Sequence, residues 1–156
     1  MKKILLLLCF SMCSILLFTM CHKDFKTFEY TFSIESVSNH KMTFSFDNQK
    51  KYRTEVQNYF MDRRAHTSDP QIETGILTDE QYNHLYGLIK NSDLFEMEDM
   101  YGFEEGTKDE EGLLTQIVLT ADGETKYITI RNLFRQRFSN SFQELLNESV
   151  SYINPK

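Results

Sequence analysis

Between Phe28 and Glu35 the apolar residues Phe28, Tyr30, Phe32 and Ile34 alternate with Glu29, Thr31, Ser33 and Glu35. A period of two over eight residues suits an extended strand with one buried and one wet face, and it does not suit a helix. The period continues beyond the turn-like "SNH" in Met42, Phe44 and Phe46. After "DNQK" it resumes in Tyr52, Thr54, Val56 and Phe60. Three such runs joined by short polar segments predict a meander of antiparallel strands. Its apolar side then needs a covering layer.

The rest of the chain supplies that layer. "RRAHTSDP", residues 63–70, reads as a polar loop closed by Pro70, and "IETGIL" as a short extended lead-in. Thr78-Asp79-Glu80-Gln81 has the spacing of a capping box, and Tyr82, Leu85, Tyr86 and Ile89 follow on one helical stripe. Asn91-Ser92-Asp93 ends this helix, and "LFEM" is expected to return to an extended form. Residues 98–112, "EDMYGFEEGTKDEEG", carry too little apolar content for anything but an exposed loop. "LLTQIVLTADGETKYITI" predicts a β-hairpin, because Asp122-Gly123 suits the positive φ angles of a type I′ turn. A last helix is expected over about 139–152, with Phe138, Phe142, Leu145, Leu146, Ser149 and Ile153 on one face and Pro155 as its stop. The expected class is therefore α+β: an antiparallel sheet (three-strand meander, helix, β-hairpin, helix) with both helices packed on one face.

Of the 156 residues, thirteen are Phe and eight Tyr, with no Trp, so the expected core is largely aromatic. A chain of this length suffices for one domain, here 27–156, to bury a core without staples. The start has a different character. Met1-Lys2-Lys3 precedes "ILLLLCFSMCSILLFTM", the basic-then-apolar layout of an export signal. The run from Ile4 to Cys21 contains Ser11, Ser14 and Thr19 and is marginal as a span, which needs roughly 20 mostly apolar residues. Loss of residues 1–20 removes Lys2 and Lys3 and leaves 15 basic and 23 acidic side chains, a net charge of −8. That balance excludes nucleic acid as an expected partner.

Phe18-Thr19-Met20-Cys21 resembles the lipobox of bacterial lipoproteins, with Phe18 and Met20 standing where Leu and a small residue are usual. The resemblance implies a lipoprotein signal peptide at 1–20 and, at 21–26, a lipidated N-terminus on Cys21 (diacyl and N-acyl chains, palmitate among them) with a polar tether. An ordinary cleaved signal and an uncleaved anchor are the alternatives. Cys9 and Cys13 lie within the signal, so the mature chain keeps Cys21 alone and no disulfide. More than one acyl chain gives stable anchoring. "TGILTDEQYNHLYGLIKNSDLFEMEDMYG" is similar to a segment of small Bacteroidota-type lipoproteins of unknown function, which implies a fold and a cellular context and no activity. His22 after the cysteine, where an aspartate would resemble an inner-membrane retention signal, favours the outer membrane. Lys23-Asp24 resembles a surface-export signal, and periplasmic and surface placement both stay open.

Candidates for chemistry are few. His22, His40 (in a turn), His66 and His84 (on the wet side of the first helix) show no paired ligand spacing. No G-x-S-x-G elbow is present, and no cysteine nucleophile remains. Glu96, Glu98, Asp99, Glu104, Glu105, Asp109, Glu110 and Glu111 are the one acidic constellation, a weak candidate for a hard cation such as calcium; their spacing departs from an EF-hand loop and Lys108 interrupts them. Phe28, Tyr30, Phe32, Phe44 and Phe46 are expected in the core, while Tyr59, Tyr82, Tyr86 and Tyr101 leave room for an aromatic contact patch. "RNLFRQR", 131–137, is a basic cluster suited to lipid head groups or an acidic partner.

The expectation is a lipid-anchored envelope protein that binds an envelope protein or glycan and is not an enzyme, with no cofactor. Two alternatives remain: a cation-dependent enzyme or calcium-binding protein using 96–111, and an inhibitor or immunity lipoprotein.

Overall fold

The computed structural model describes residues 24–36, 40–58, 69–103, 113–131 and 137–154. They form a mixed α+β fold of seven strands and two helices, in a sheet that is antiparallel except at one edge. The strands are β1 (Phe28–Ser36), β2 (His40–Asp47), β3 (Lys51–Asn58), β4 (Gln71–Ile76), β5 (Met100–Tyr101), β6 (Leu113–Ala121) and β7 (Glu124–Arg131). The helices are α1 (Asp79–Asn91) and α2 (Asn140–Ile153). Strand order is β4-β3-β2-β1-β6-β7-β5.

Alternation decides which side is core. Phe28, Tyr30 and Phe32 of β1, Phe44 and Phe46 of β2, Ile117 and Leu119 of β6, and Ile128 and Ile130 of β7 are all buried on one face. Both helices cover that face: Phe28 packs on Tyr82 and Tyr86 of α1, and Phe44 stacks on Tyr152 of α2 with ring centroids 4.6 Å apart. Tyr82 and Tyr86 are thus part of the aromatic core wall, and Tyr101 packs edge-on against Phe138. Among the described residues Tyr82 and Tyr86 stack on each other with ring centroids 5.8 Å apart and keep part of their surface exposed. Tyr59 lies outside the described residues.

The ends of elements follow local chemistry. Thr78 Oγ1 accepts from the Gln81 N–H while the Gln81 side chain accepts from the Thr78 N–H, the reciprocal capping box. Asp93 with φ 48° stops α1, and Asp122 and Gly123 turn the chain between β6 and β7 at φ 50° and 90°. Between β2 and β3, Asp47 Oδ1 accepts from the N–H of Gln49 and of Lys51. That fold-back carries Lys50 into the left-handed region at φ 63°.

Four expectations are corrected. "IETGIL" is more than a lead-in: Gln71–Ile76 is a full strand, antiparallel to β3 and at the sheet edge, so four consecutive strands pair in sequence. "LFEM" is not extended, because Leu94–Glu96 forms a single 3₁₀ turn that buries Leu94. The stretch 98–112 is not all loop, since Met100–Tyr101 pairs in parallel with Thr129–Ile130 of β7. His40, expected in a turn, is the first residue of β2, opposite Ser36. Phe60 and Pro155 lie outside the described residues.

Candidate interaction surface

The face of the sheet opposite the helices is not covered by any described element, and the pairing registers place its residues in rows. One row runs Ile72, Glu55, Thr43, Ser33, Gln116, Thr129, Met100, and the next runs Thr74, Arg53, Ser45, Thr31, Val118, Tyr127. The central strands β1 and β2 contribute short hydroxyl side chains to these rows, and the flanking strands contribute longer ones. The result is a shallow trough floored by Ser and Thr. Its walls carry four exposed apolar side chains of the described residues: Ile76 is 72 % exposed, Tyr127 57 %, Met100 56 % and Ile72 48 %. Toward the β4 side the trough deepens to a cleft of about 410 Å³ between Glu29 and Asp47 on one wall and Lys51, Arg53 and Ile76 on the other. Arg53 is already engaged by Glu55 at 2.8 Å, as is Lys41 by Glu35 at 3.9 Å. The surface therefore mixes hydroxyls, aliphatic groups and paired charges, a composition suited to docking.

At the β4 edge Tyr52 lies across Gly75, where a Cβ would sit 2.5 Å from the ring, so the strand approaches the ring only because position 75 has no side chain. The Tyr52 hydroxyl donates to Glu73 Oε1 at 3.1 Å, and that bond to a carboxylate, with some burial, raises its pKa above the ordinary tyrosine value.

The start of the described chain is docked on the domain. Asp24 takes a 2.6 Å bond from Lys90, which lowers its carboxyl pKa. Phe25 packs on Phe28, Tyr86 and Phe95, and its N–H donates to the Tyr86 hydroxyl. The N–H groups of Lys26 and Thr27 both donate to Asp122 Oδ1. Of the segment expected as a tether, Asp24 to Lys26 are thus pinned to α1 and the β6–β7 turn. At this end of the sheet β1 begins beside the end of β6, the 47–50 turn and the end of β4. The connections 37–39, 59–70, 102–112 and 132–139 all leave from strand ends at the opposite end.

The residues singled out in the sequence fall as follows. Cys21, His22, His66, Glu104, Glu105, Asp109, Glu110, Glu111 and 132–136 of the basic cluster lie outside the described residues. Glu96, Glu98 and Asp99 are exposed, and they are not gathered into a site. Asp99 is held by Lys126 at 2.6 Å, and the same ammonium donates to the Met97 carbonyl. Among the described residues no group of three or more His, Cys, Asp or Glu side chains comes together around a metal-sized space. His84, half-exposed on α1, faces Glu144 and Glu148 of α2 at 3.8 and 4.0 Å. None of the described helices is long and apolar enough to cross a membrane. The sequence reading missed the two exposed isoleucines of β4; their spacing of four, with a threonine midway, is a strand-face signal too short to stand out alone. Compared with known proteins, no family model and no curated protein matches this chain.

Proposed function

We propose that the chain is a lipid-anchored envelope protein, processed and lipidated at Cys21, that acts as a non-catalytic binding module through the uncovered face of its sheet. The observation that carries the reading is the one-sided packing: seven strands are covered by helices on one face, while the other presents Ser and Thr rows walled by Ile72, Ile76, Met100 and Tyr127. Exposed apolar side chains rimmed by polar groups are a recognised mark of contact surfaces. The partner class is an envelope protein or a glycan.

The pinned start adds a direction to this reading. Cys21 precedes Asp24 by three residues, which reach roughly 10 Å when extended. An acylated Cys21 then holds the end bearing the 47–50 and 122–123 turns toward the bilayer, so that the opposite strand ends, Ser36, Asn58, Leu113 and Arg131 among them, face away from it. In the outer membrane the module can face either the periplasm or the surface.

Two measurements test the parts separately. Labelling with radioactive palmitate is expected to mark the chain and to be lost in Cys21→Ser, and an unlabelled chain removes the anchor. A photo-reactive residue at Thr31, on the open face, is expected to cross-link one reproducible envelope component that the same residue at Glu144, exposed on the helix layer, does not. Equal or absent cross-linking at both sites removes the binding face.

A further inference from the structure

The β4 edge carries an inference that depends on neither the anchor nor the open-face partner. The Leu77 N–H donates to the Lys50 carbonyl at 2.8 Å, so Leu77 and Lys50 form a hydrogen-bonded pair of the antiparallel ladder. Such pairs alternate along a strand, and the register then assigns Gly75–Tyr52, Glu73–Thr54 and Gln71–Val56 to the bonded set. The N–H and C=O groups of Ile72, Thr74 and Ile76 therefore point away from β3, toward the outer side of a strand that ends the sheet. The side chains of these three residues lie on the open face, where both isoleucines are exposed.

We infer that β4 pairs with β4 of a second copy of this chain, antiparallel and centred on Thr74, joining two seven-stranded sheets into one. The register is self-complementary. With Thr74 opposite the partner's Thr74, Ile72 falls opposite the partner's Ile76 and Ile76 opposite the partner's Ile72. All three pairs belong to the set whose backbone groups point outward, so each exchanges two hydrogen bonds. Glu73 falls opposite the partner's Gly75, so no like charges are directly opposed. A register shifted by one residue would set outward-pointing groups against inward-pointing ones, and a shift of two would leave one isoleucine of each copy unpaired. Within the strand itself, among the described residues, the usual sequence defences of an edge are missing: Gln71–Ile76 contains no proline, its pairing with β3 runs without interruption, and its one charge, Glu73, points to the helix side, where it is held by Tyr52. Lys51 and Arg53 beside it balance Glu55 and Glu73, so the edge is locally neutral although the whole chain is acidic. The far edge of the sheet, in contrast, is the two-residue β5. An isologous contact of this kind closes as a dimer and does not propagate.

Thiol cross-linking of the full chain in mild detergent tests the register. Hydrogen-bonded antiparallel partners have Cα atoms about 5.5 Å apart, inside the roughly 4.4–6.8 Å span of disulfides. Thr74→Cys is expected to give a covalent dimer under mild oxidation well above that of the unsubstituted chain with its own three cysteines. Ile72→Cys alone should not, because its counterpart is four residues away along the strand, whereas the Ile72→Cys/Ile76→Cys double variant should. Circular dichroism checks that each variant folds. Thr74→Cys dimers no more abundant than those of the unsubstituted chain, dimers of Ile72→Cys or of Thr125→Cys on β7 as abundant as those of Thr74→Cys, or Thr74→Cys captured by a different protein would each overturn self-pairing. The last outcome would assign the edge to a foreign strand.

Discussion

Tyr30 and Ser149 meet in the centre of the core, both with zero exposure, and their hydroxyl oxygens are 3.1 Å apart. Ser149 Oγ donates its only proton to the Leu145 carbonyl at 2.8 Å, so the proton between the two hydroxyls comes from Tyr30. The two truncations are therefore unequal. Ser149→Ala leaves the Tyr30 O–H buried without an acceptor, a cost of about 1–3 kcal/mol. Alanine's better helix propensity returns about 0.5 kcal/mol of it. Tyr30→Phe removes the donor itself and leaves Ser149 bonded to Leu145, a cost of about 0.5–1.5 kcal/mol. In the double variant nothing is stranded, so adding Tyr30→Phe to Ser149→Ala should restore stability, with a coupling of about 1–2 kcal/mol between the sites. Equilibrium urea unfolding measures this, provided the slope with denaturant stays constant across the four proteins. Costs that simply add, so that Tyr30→Phe restores nothing to Ser149→Ala, would refute the assignment of the proton to Tyr30.

Asp122→Ala removes the acceptor of the Lys26 and Thr27 N–H groups and places alanine at φ 50°, and should cost about 1–2 kcal/mol in urea unfolding; Asp122→Asn should cost less, since asparagine tolerates that conformation. Burial raises the pKa of Tyr30, Tyr82 and Tyr152, and the bond to Glu73 raises that of Tyr52. The unfolded chain ionises these groups first, so their contribution is complete below the ordinary value of 10.0 and is lost as pH climbs past it; phenolate absorbance should lag behind free tyrosine and then rise together with unfolding. Asp24 runs in the opposite direction. Its lowered pKa means that the bond to Lys90 holds above the ordinary value of 3.8 and is lost as pH falls through the folded value, so the protection of the Phe25 N–H relative to an unfolded peptide at the same pH should fall there in the native chain and already be low at neutral pH in Asp24→Asn. Gly75→Ala should cost about 1–2 kcal/mol, because the new methyl group displaces the Tyr52 ring from its bond to Glu73; retention of full stability would show that the ring yields freely.

Much of the architecture was legible because it rests on neighbours in sequence. Alternation from Phe28 to Glu35 needs only the pleat to become one buried and one wet face, the capping box at Thr78 closes within four residues, and Asp122-Gly123 supplies its own backbone angles. Together they determined the class, a mostly antiparallel sheet with two helices, and the aromatic nature of its core. What remained hidden depends on partners far along the chain. Gln71, Glu73 and Gly75 alternate with Ile72, Thr74 and Ile76 without an apolar core face, so β4 is a strand through its bonds to β3, and only the assembled sheet makes it an edge. Met100–Tyr101 is extended beside β7, 29 residues onward, with Lys126 holding Asp99 just before it. Asp24 and Phe25 looked like polar linker until α1 and β1 came together to receive them. The candidate surface belongs to the same category: a strand's period marks its wet side, but whether that side stays open is decided by where both helices pack, through contacts no local pattern encodes.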